Sequence, residues 1–173
     1  MRKTLSFFFA VFLFFLNISK SDHSNDLFLL HDDLKVFKYF IGKTFSGEIQ
    51  NYKKDSYVNE IVNWEAIFKG NGIRIKHSIN NDEFIGESII MFDGKEKSYS
   101  CWYFSSGGIS NKSKFLIEDN KIIFFEDVSE NNNSITKIRT SYIISENGGY
   151  YKKILYLINN VWVKGNNILY KNI

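Results

Sequence analysis

Three ionisable side chains lie in segments where polar and apolar residues alternate. They are the first candidates for a binding or catalytic role. His77, Glu87 and Glu126 each share a spacing of two with isoleucine, methionine or phenylalanine neighbours, which places them on one strand face with those residues. A charged group among apolar neighbours is costly unless it is paired or neutralised, so such groups often bind a ligand or move a proton. Alternatively, His77 is a core residue satisfied by one hydrogen bond, and the two glutamates are salt-bridged or solvated. Arg139 is a possible counter-ion for a glutamate.

Aromatic residues form a second set of candidates, since they are favoured in sheets and also line small-molecule pockets. We take Trp102 and Tyr103 as possible ligand contacts. Adjacent residues of a strand point to opposite faces, so only one of these two can face a cavity. The full aromatic set considered is Trp64, Trp102, Trp162, Tyr99, Tyr103 and Phe104.

The sequence contains no catalytic motif from which a reaction could be predicted. The sequence has no zinc-protease helix, nucleophile elbow, phosphate-binding glycine loop or paired cysteine site, so no catalytic residue is predicted. Adjacent residues diverge by about 100° on a helix, which argues against a metal cluster at residues 31–33 (His-Asp-Asp). We therefore predict neither a metal site nor a cofactor. Cys101 is the single cysteine and is expected to be a small buried apolar residue.

The elements that position these residues are predicted to be strands. Apolar and polar residues alternate over about ten segments, which cover residues 43–50, 57–68, 72–80, 84–92, 98–105, 114–118, 121–128, 135–144, 150–157 and 161–170. Short turns rich in Asn, Asp and Gly separate them and leave no room for crossover helices, so the strands are antiparallel. A single open sheet of this size would expose aggregation-prone edges, which favours an up-and-down barrel. A two-sheet sandwich is the alternative.

One helix is expected before the first strand. Leu30, Leu34, Phe37 and Ile41 follow a spacing of three and four that lines one helix face, and Gly42 is a suitable stop signal. We predict a short helix near residues 30–40.

The first 21 residues are predicted to be a secretory signal peptide. They contain Arg2 and Lys3, an apolar run over residues 5–16, and small residues at Ser19 and Ser21. The run is shorter than the roughly 20 apolar residues of a spanning helix, so cleavage rather than anchoring is expected. Residues 22–173 would then form one domain in the periplasm or outside the cell, without stable membrane insertion.

Composition excludes several classes of protein. Aromatic residues make up 17% of the chain, and there is no proline, which argues against disordered and collagen-like proteins. The formal charge is +3, but the predicted leader holds three of the 22 basic residues and no acidic one, so the remainder balances the 19 acidic residues. A neutral mature chain gives no reason to expect nucleic acid or an anionic membrane as a partner.

Five short segments together carry a family resemblance: residues 40–48 (FIGKTFSGE), 64–65 (WE), 77–80 (HSIN), 86–93 (GESIIMFD) and 103–104 (YF). They resemble the corresponding segments of bacterial secreted lipocalin-like proteins, which are related to the ten-stranded, nitrobindin-like calycin barrels. The resemblance covers about residues 37–170 and implies a barrel with an internal cavity. Nitrobindin-like haem carriers take an axial histidine from near the C-terminal end of the barrel, whereas this chain has no histidine after His77. The resemblance therefore does not imply haem binding.

We expect a secreted or periplasmic barrel that binds a small, largely apolar molecule. The candidate contacts are His77, Glu87, Glu126, Tyr103 and Trp102. Two other classes stay open: a structural or interaction module whose barrel is filled by its own aromatic side chains, and an enzyme that acts on a hydrophobic substrate through His77 and Glu87 or Glu126.

Overall fold

The computed structural model describes residues 30–51, 56–119, 121–128 and 134–173. The predicted signal peptide, residues 1–21, lies outside the described residues. No helix of the described part is long and apolar enough to span a membrane.

Ten antiparallel strands form a closed up-and-down barrel, which confirms the predicted fold and excludes the sandwich. Each strand pairs with its neighbours in the sequence, and the first strand pairs with the last, so the sheet has no free edge. The strands are β1 (Thr44–Asn51), β2 (Ser56–Ile67), β3 (Gly72–Ile79), β4 (Phe84–Asp93), β5 (Ser98–Ser105), β6 (Ser110–Glu118), β7 (Lys121–Asp127), β8 (Ile135–Ile144), β9 (Tyr150–Ile158) and β10 (Val161–Asn172).

Asparagine and aspartate make the tight hairpins that the sequence predicts. Asn159 and Asn160 form the two-residue connection between β9 and β10, and both have positive φ angles, of 49° and 63°. Such angles match the twist of the flanking strands, and asparagine tolerates them better than most residues. The turn between β3 and β4 uses Asn80, Asn81 and Asp82 in the same way.

Strand β6 begins earlier than its sequence pattern predicts, at Ser110 rather than at residue 114. Its first inward side chains are polar, because Asn111 and Ser113 face the barrel interior. Where both faces of a strand are polar, as in these first residues, hydrophobic and polar residues do not alternate. The start of the strand therefore cannot be predicted from alternation.

The predicted helix is a 3₁₀ helix, Asp32–Phe37, followed by turns up to Gly42, whose φ angle is 74°. Its predicted apolar residues are buried as expected. We call residues 30–42 the plug, because they lie across the end of the barrel where β3, β5 and β9 begin. The His31 amide donates to the Gly70 carbonyl, and the hydroxyls of Tyr99 and Tyr39 donate to the carbonyls of Asp33 and Gly149.

Aromatic packing joins the plug to the barrel. The Phe40 ring stacks on Trp64 with centroids 4.5 Å apart, and Phe37 contacts both Trp64 and Phe115. Tyr150 packs edge-on against Phe40 and Phe45. This half of the interior is therefore filled, and any open volume must lie toward the opposite end, where β2, β4, β6, β8 and β10 begin. We call that end the mouth.

Candidate ligand-binding cavity

A cavity of about 300 Å³ lies inside the barrel between the aromatic core and the mouth. Its apolar surface comes from side chains that continue the core, including Val62, Ile75, Phe124 and Tyr142. Its polar surface comes from inward-facing side chains of β2 to β9. The polar lining residues are Glu60, His77, Ser88, Tyr103, Asn111, Ser113, Glu126, Thr140 and Lys152.

Glu60 is the centre of a buried polar cluster. It lies on β2, two residues from Val62 and four from Trp64, and its side chain is only 4% exposed. His77 Nδ1 lies 2.7 Å from Glu60 Oε1, and Lys152 Nζ lies 3.8 Å from Oε2. The Tyr170 hydroxyl donates a hydrogen bond to Oε2. Both carboxylate oxygens therefore have partners.

This cluster keeps Glu60 ionised although it is buried. Burial alone would raise the pKa of Glu60, but the positive charge of Lys152 and hydrogen bonds from His77 and Tyr170 outweigh it, so the pKa falls to about 2. In the same way, burial alone would lower the pKa of Lys152, whereas the nearby Glu60 carboxylate raises it. The two groups therefore form a charge-balanced interior pair.

His77 connects this pair to Tyr103. The Tyr103 hydroxyl lies 3.0 Å from His77 Nε2, and burial raises the pKa of Tyr103, so the phenol keeps its proton. With Glu60 ionised, we assign Nδ1–H as the donor to Glu60 and Nε2 as the acceptor from Tyr103. The side chains of His77 and Tyr103 meet over Gly86 of β4, where an added Cβ would lie 1.9 Å from His77 Nε2. The absence of a side chain at Gly86 thus permits the contact.

Glu126 is a second carboxylate of the cavity, and its environment differs from that of Glu60. It lies on the inward face of β7 with Phe124, and Asn111 Nδ2 donates a hydrogen bond to its Oε1. Burial raises the pKa of Glu126, and the Asn111 hydrogen bond opposes this only in part. Arg139, the possible counter-ion, does not pair with Glu126, because alternation places its guanidinium against the Phe125 ring, 5.9 Å from the ring centroid.

Cys101 lies in the cavity wall and is buried, as predicted from the sequence. Burial raises the pKa of its thiol to about 11, despite hydrogen bonds with Ser113 and Ser88. The thiolate, which is the reactive form, is therefore scarce at neutral pH.

Three of the five predicted contact residues line this cavity. His77, Glu126 and Tyr103 point inward from β3, β7 and β5, so the structure brings together side chains that are distant in sequence. Glu87 and Trp102 lie on the outer wall instead.

The placement of Glu87 and Trp102 corrects the expectation that they contribute to the interior. Glu87 forms a salt bridge of 3.1 Å with Arg74, and Lys112 lies over the Trp102 ring at 5.1 Å. Alternation turns Trp102 outward because Tyr103 faces inward. On β4 the inward face carries Gly86 and Ser88 together with the buried Ile90, so it offers less apolar surface beside Glu87 than the face that carries Ile89 and Met91.

Sequence reasoning missed Glu60 and Lys152. A signal for Glu60 was present, since Val58, Val62 and Trp64 share its strand face, while Asn59 and Asn63 lie on the other face. For Lys152 the sequence offers no comparable signal, because Lys153 next to it stands on the other face of β9 among equally apolar neighbours.

Neither Tyr103 nor Cys101 is activated as a nucleophile in this cavity. The Glu60–His77–Tyr103 chain could relay a proton, but the pKa of its terminal phenol is raised, as is that of the Cys101 thiol, so neither is an activated nucleophile. In the described part of the chain, no three His, Cys, Asp or Glu side chains are grouped as metal ligands.

The chain matches no protein-family model and no curated protein. The resemblance to secreted lipocalin-like proteins therefore stays a prediction, since a closed barrel alone is shared by many unrelated families.

The Glu60 cluster predicts a loss of stability in acid. A carboxylate whose pKa is lowered from 4.5 to about 2 stabilises the fold above pH 4.5, and this stabilisation is lost as the pH falls toward 2. The shift corresponds to about 3 kcal/mol of unfolding free energy. Glu126, with its raised pKa, acts in the opposite direction and at higher pH. Urea denaturation between pH 7 and pH 2 measures the effect.

The matched control for this prediction is Glu60→Gln, which removes the titrating group but keeps its shape. Its unfolding free energy should fall less steeply than that of the wild type between pH 4.5 and pH 2. Parallel curves for the two proteins would show that other groups cause the acid dependence.

Proposed function

We propose that this protein is a binding barrel for a small, largely apolar molecule. The observation that supports this most directly is the interior cavity of about 300 Å³, which combines an apolar floor with a few oriented polar groups. Small-molecule sites have this composition, and their volumes begin at about 300 Å³. A barrel that served only as a structural module could have filled this space with its own side chains.

The proposal includes export from the cytoplasm, to the periplasm or the medium. This part rests on residues 1–21, in which a short basic start, an apolar run and small residues follow the order of a cleaved signal peptide. The absence of a second cysteine in the chain is compatible with an oxidising compartment, because Cys101 is buried and has no partner with which to form an intramolecular disulfide.

Native mass spectrometry of the protein from the exported fraction of its own host tests both parts. We expect the mass of a chain that begins near Asp22, together with an additional non-covalent mass that is released on collisional activation. A chain that retains Met1 would contradict export. A protein without additional mass would contradict ligand binding and would favour the filled-barrel module.

A pair of variants locates the retained molecule. Ser88→Leu adds bulk to the cavity wall, whereas Ser98→Leu makes the same change at an exposed position at the start of β5. We expect the additional mass to be lost from Ser88→Leu and kept in Ser98→Leu, with thermal unfolding used to confirm that both variants fold. Equal retention by the two would place the molecule outside the cavity.

A further inference from the structure

Glu126 is a carboxylate of the cavity with no cationic partner among the described residues. Its single side-chain partner there is the amide of Asn111, which is neutral. A carboxylate that is partly removed from water without a counter-charge is unfavourable, and it gains from any cation brought to it.

The other charges of the interior already balance one another. Lys152 lies 3.8 Å from Glu60, and His77 and Tyr170 complete the hydrogen bonding of that carboxylate. Arg139 points to the outer wall, where it packs on Phe125. Among the described residues, Glu126 is thus the one acidic group of the cavity without a counter-charge, and it lies in the mouth-side wall.

Several hydrogen-bond acceptors lie close to Glu126, which suits a ligand group that donates more than one hydrogen bond. The Asn111 amide nitrogen donates a hydrogen bond to Glu126, and its carbonyl oxygen has no partner among the described residues, so this oxygen can accept a hydrogen bond beside the carboxylate. Thr140, on the neighbouring strand β8, adds a hydroxyl to the same cavity. Phe124, Tyr142 and Ile75 line the same cavity and give it an apolar surface.

We propose that the cavity binds a small amphipathic amine, whose ammonium group pairs with Glu126 and Asn111 and whose apolar part lies against Phe124 and Tyr142. The inference rests on the proposed function and specifies its ligand class. An ammonium ion supplies both the missing counter-charge and the proton donors that the acceptors require. The raised pKa of Glu126 agrees with this geometry, because burial without a cation is its cause.

Three probes on one scaffold test the charge of the ligand: tryptamine, its neutral analogue tryptophol, and the anion indole-3-acetate. Isothermal titration calorimetry should show tryptamine binding to the wild type on the order of tenfold more tightly than tryptophol. Glu126→Gln should remove this preference and leave the affinity for tryptophol nearly unchanged. Glu87→Gln, an equivalent change on the outer wall, should keep the preference.

The outcomes separate this inference from the proposed function. If tryptophol binds as tightly as tryptamine, or if Glu126→Gln keeps the preference, the amine assignment is wrong while the cavity remains a binding site. If indole-3-acetate binds most tightly, Lys152 rather than Glu126 is the polar anchor, and the assignment is also wrong. If the folded wild type binds none of the probes, the result counts against the amine and against the binding cavity together.

Discussion

Glu60→Ala is expected to lower the free energy of unfolding by about 3–5 kcal/mol, the cost of removing one member of a buried charge pair. The change leaves the Lys152 ammonium without its counter-charge in the barrel interior. It also removes the acceptor of the Tyr170 hydroxyl and of His77 Nδ1. Urea denaturation at pH 7 measures the loss.

A double-mutant cycle shows whether the charge pair causes this loss. Lys152→Met in the Glu60→Ala background removes the uncompensated cation and should recover part of the lost stability. Glu65→Ala is the matched control on the same strand, because its side chain forms salt bridges with Arg74 and Lys76 on the outer wall and should cost about 1 kcal/mol or less. Equal losses for Glu60→Ala and Glu65→Ala would contradict the cluster's role.

The second large effect is expected at Trp64, whose side chain is fully buried between the plug and the barrel. Its ring stacks on Phe40 at 4.5 Å and contacts Phe37, Tyr142 and Tyr150. Trp64→Ala would leave a large void that these rings can fill only in part. We expect a loss of about 3–5 kcal/mol in the free energy of unfolding, measured by urea denaturation.

Trp162→Ala is the control for this prediction, since Trp162 is 40% exposed on β10 near the mouth. It should cost much less than the Trp64 change. If Trp64→Ala does not fold, Trp64→Phe keeps most of the ring packing and should show a smaller but measurable loss. A Trp64→Phe protein as stable as the wild type would indicate that the plug is not anchored through this ring.

Much of the barrel could be predicted from the sequence. On β3, Ile73 and Ile75 alternate with Arg74 and Lys76, and this alternation correctly assigned His77 to the interior. The same reasoning assigned Glu126 to the interior through Phe124 and Ile122. The turns were recognisable because asparagine, aspartate and glycine accept the positive φ angles that hairpins require.

Where both faces of a strand carry similar residues, alternation failed. On β4, Glu87 shares its face with Ile89 and Met91, which predicts an interior position, whereas the interior face carries Gly86, Ser88 and Ile90. The choice between these faces depends on neighbouring strands. His77 and Tyr103 meet above Gly86, and no residue larger than glycine would leave them room.

By itself, the sequence determined the strand periods, the hairpin turns and the apolar segment that becomes the plug, because these depend on residues close together along the chain. Only the tertiary structure decided which polar groups share the cavity. Barrel closure brings Glu60 of β2 to Lys152 of β9 and Tyr170 of β10, and it leaves Glu126 of β7 without a cation among the described residues. Charge balance in a buried site depends on distances between charges across the barrel. These distances cannot be predicted from the spacing of residues along one strand.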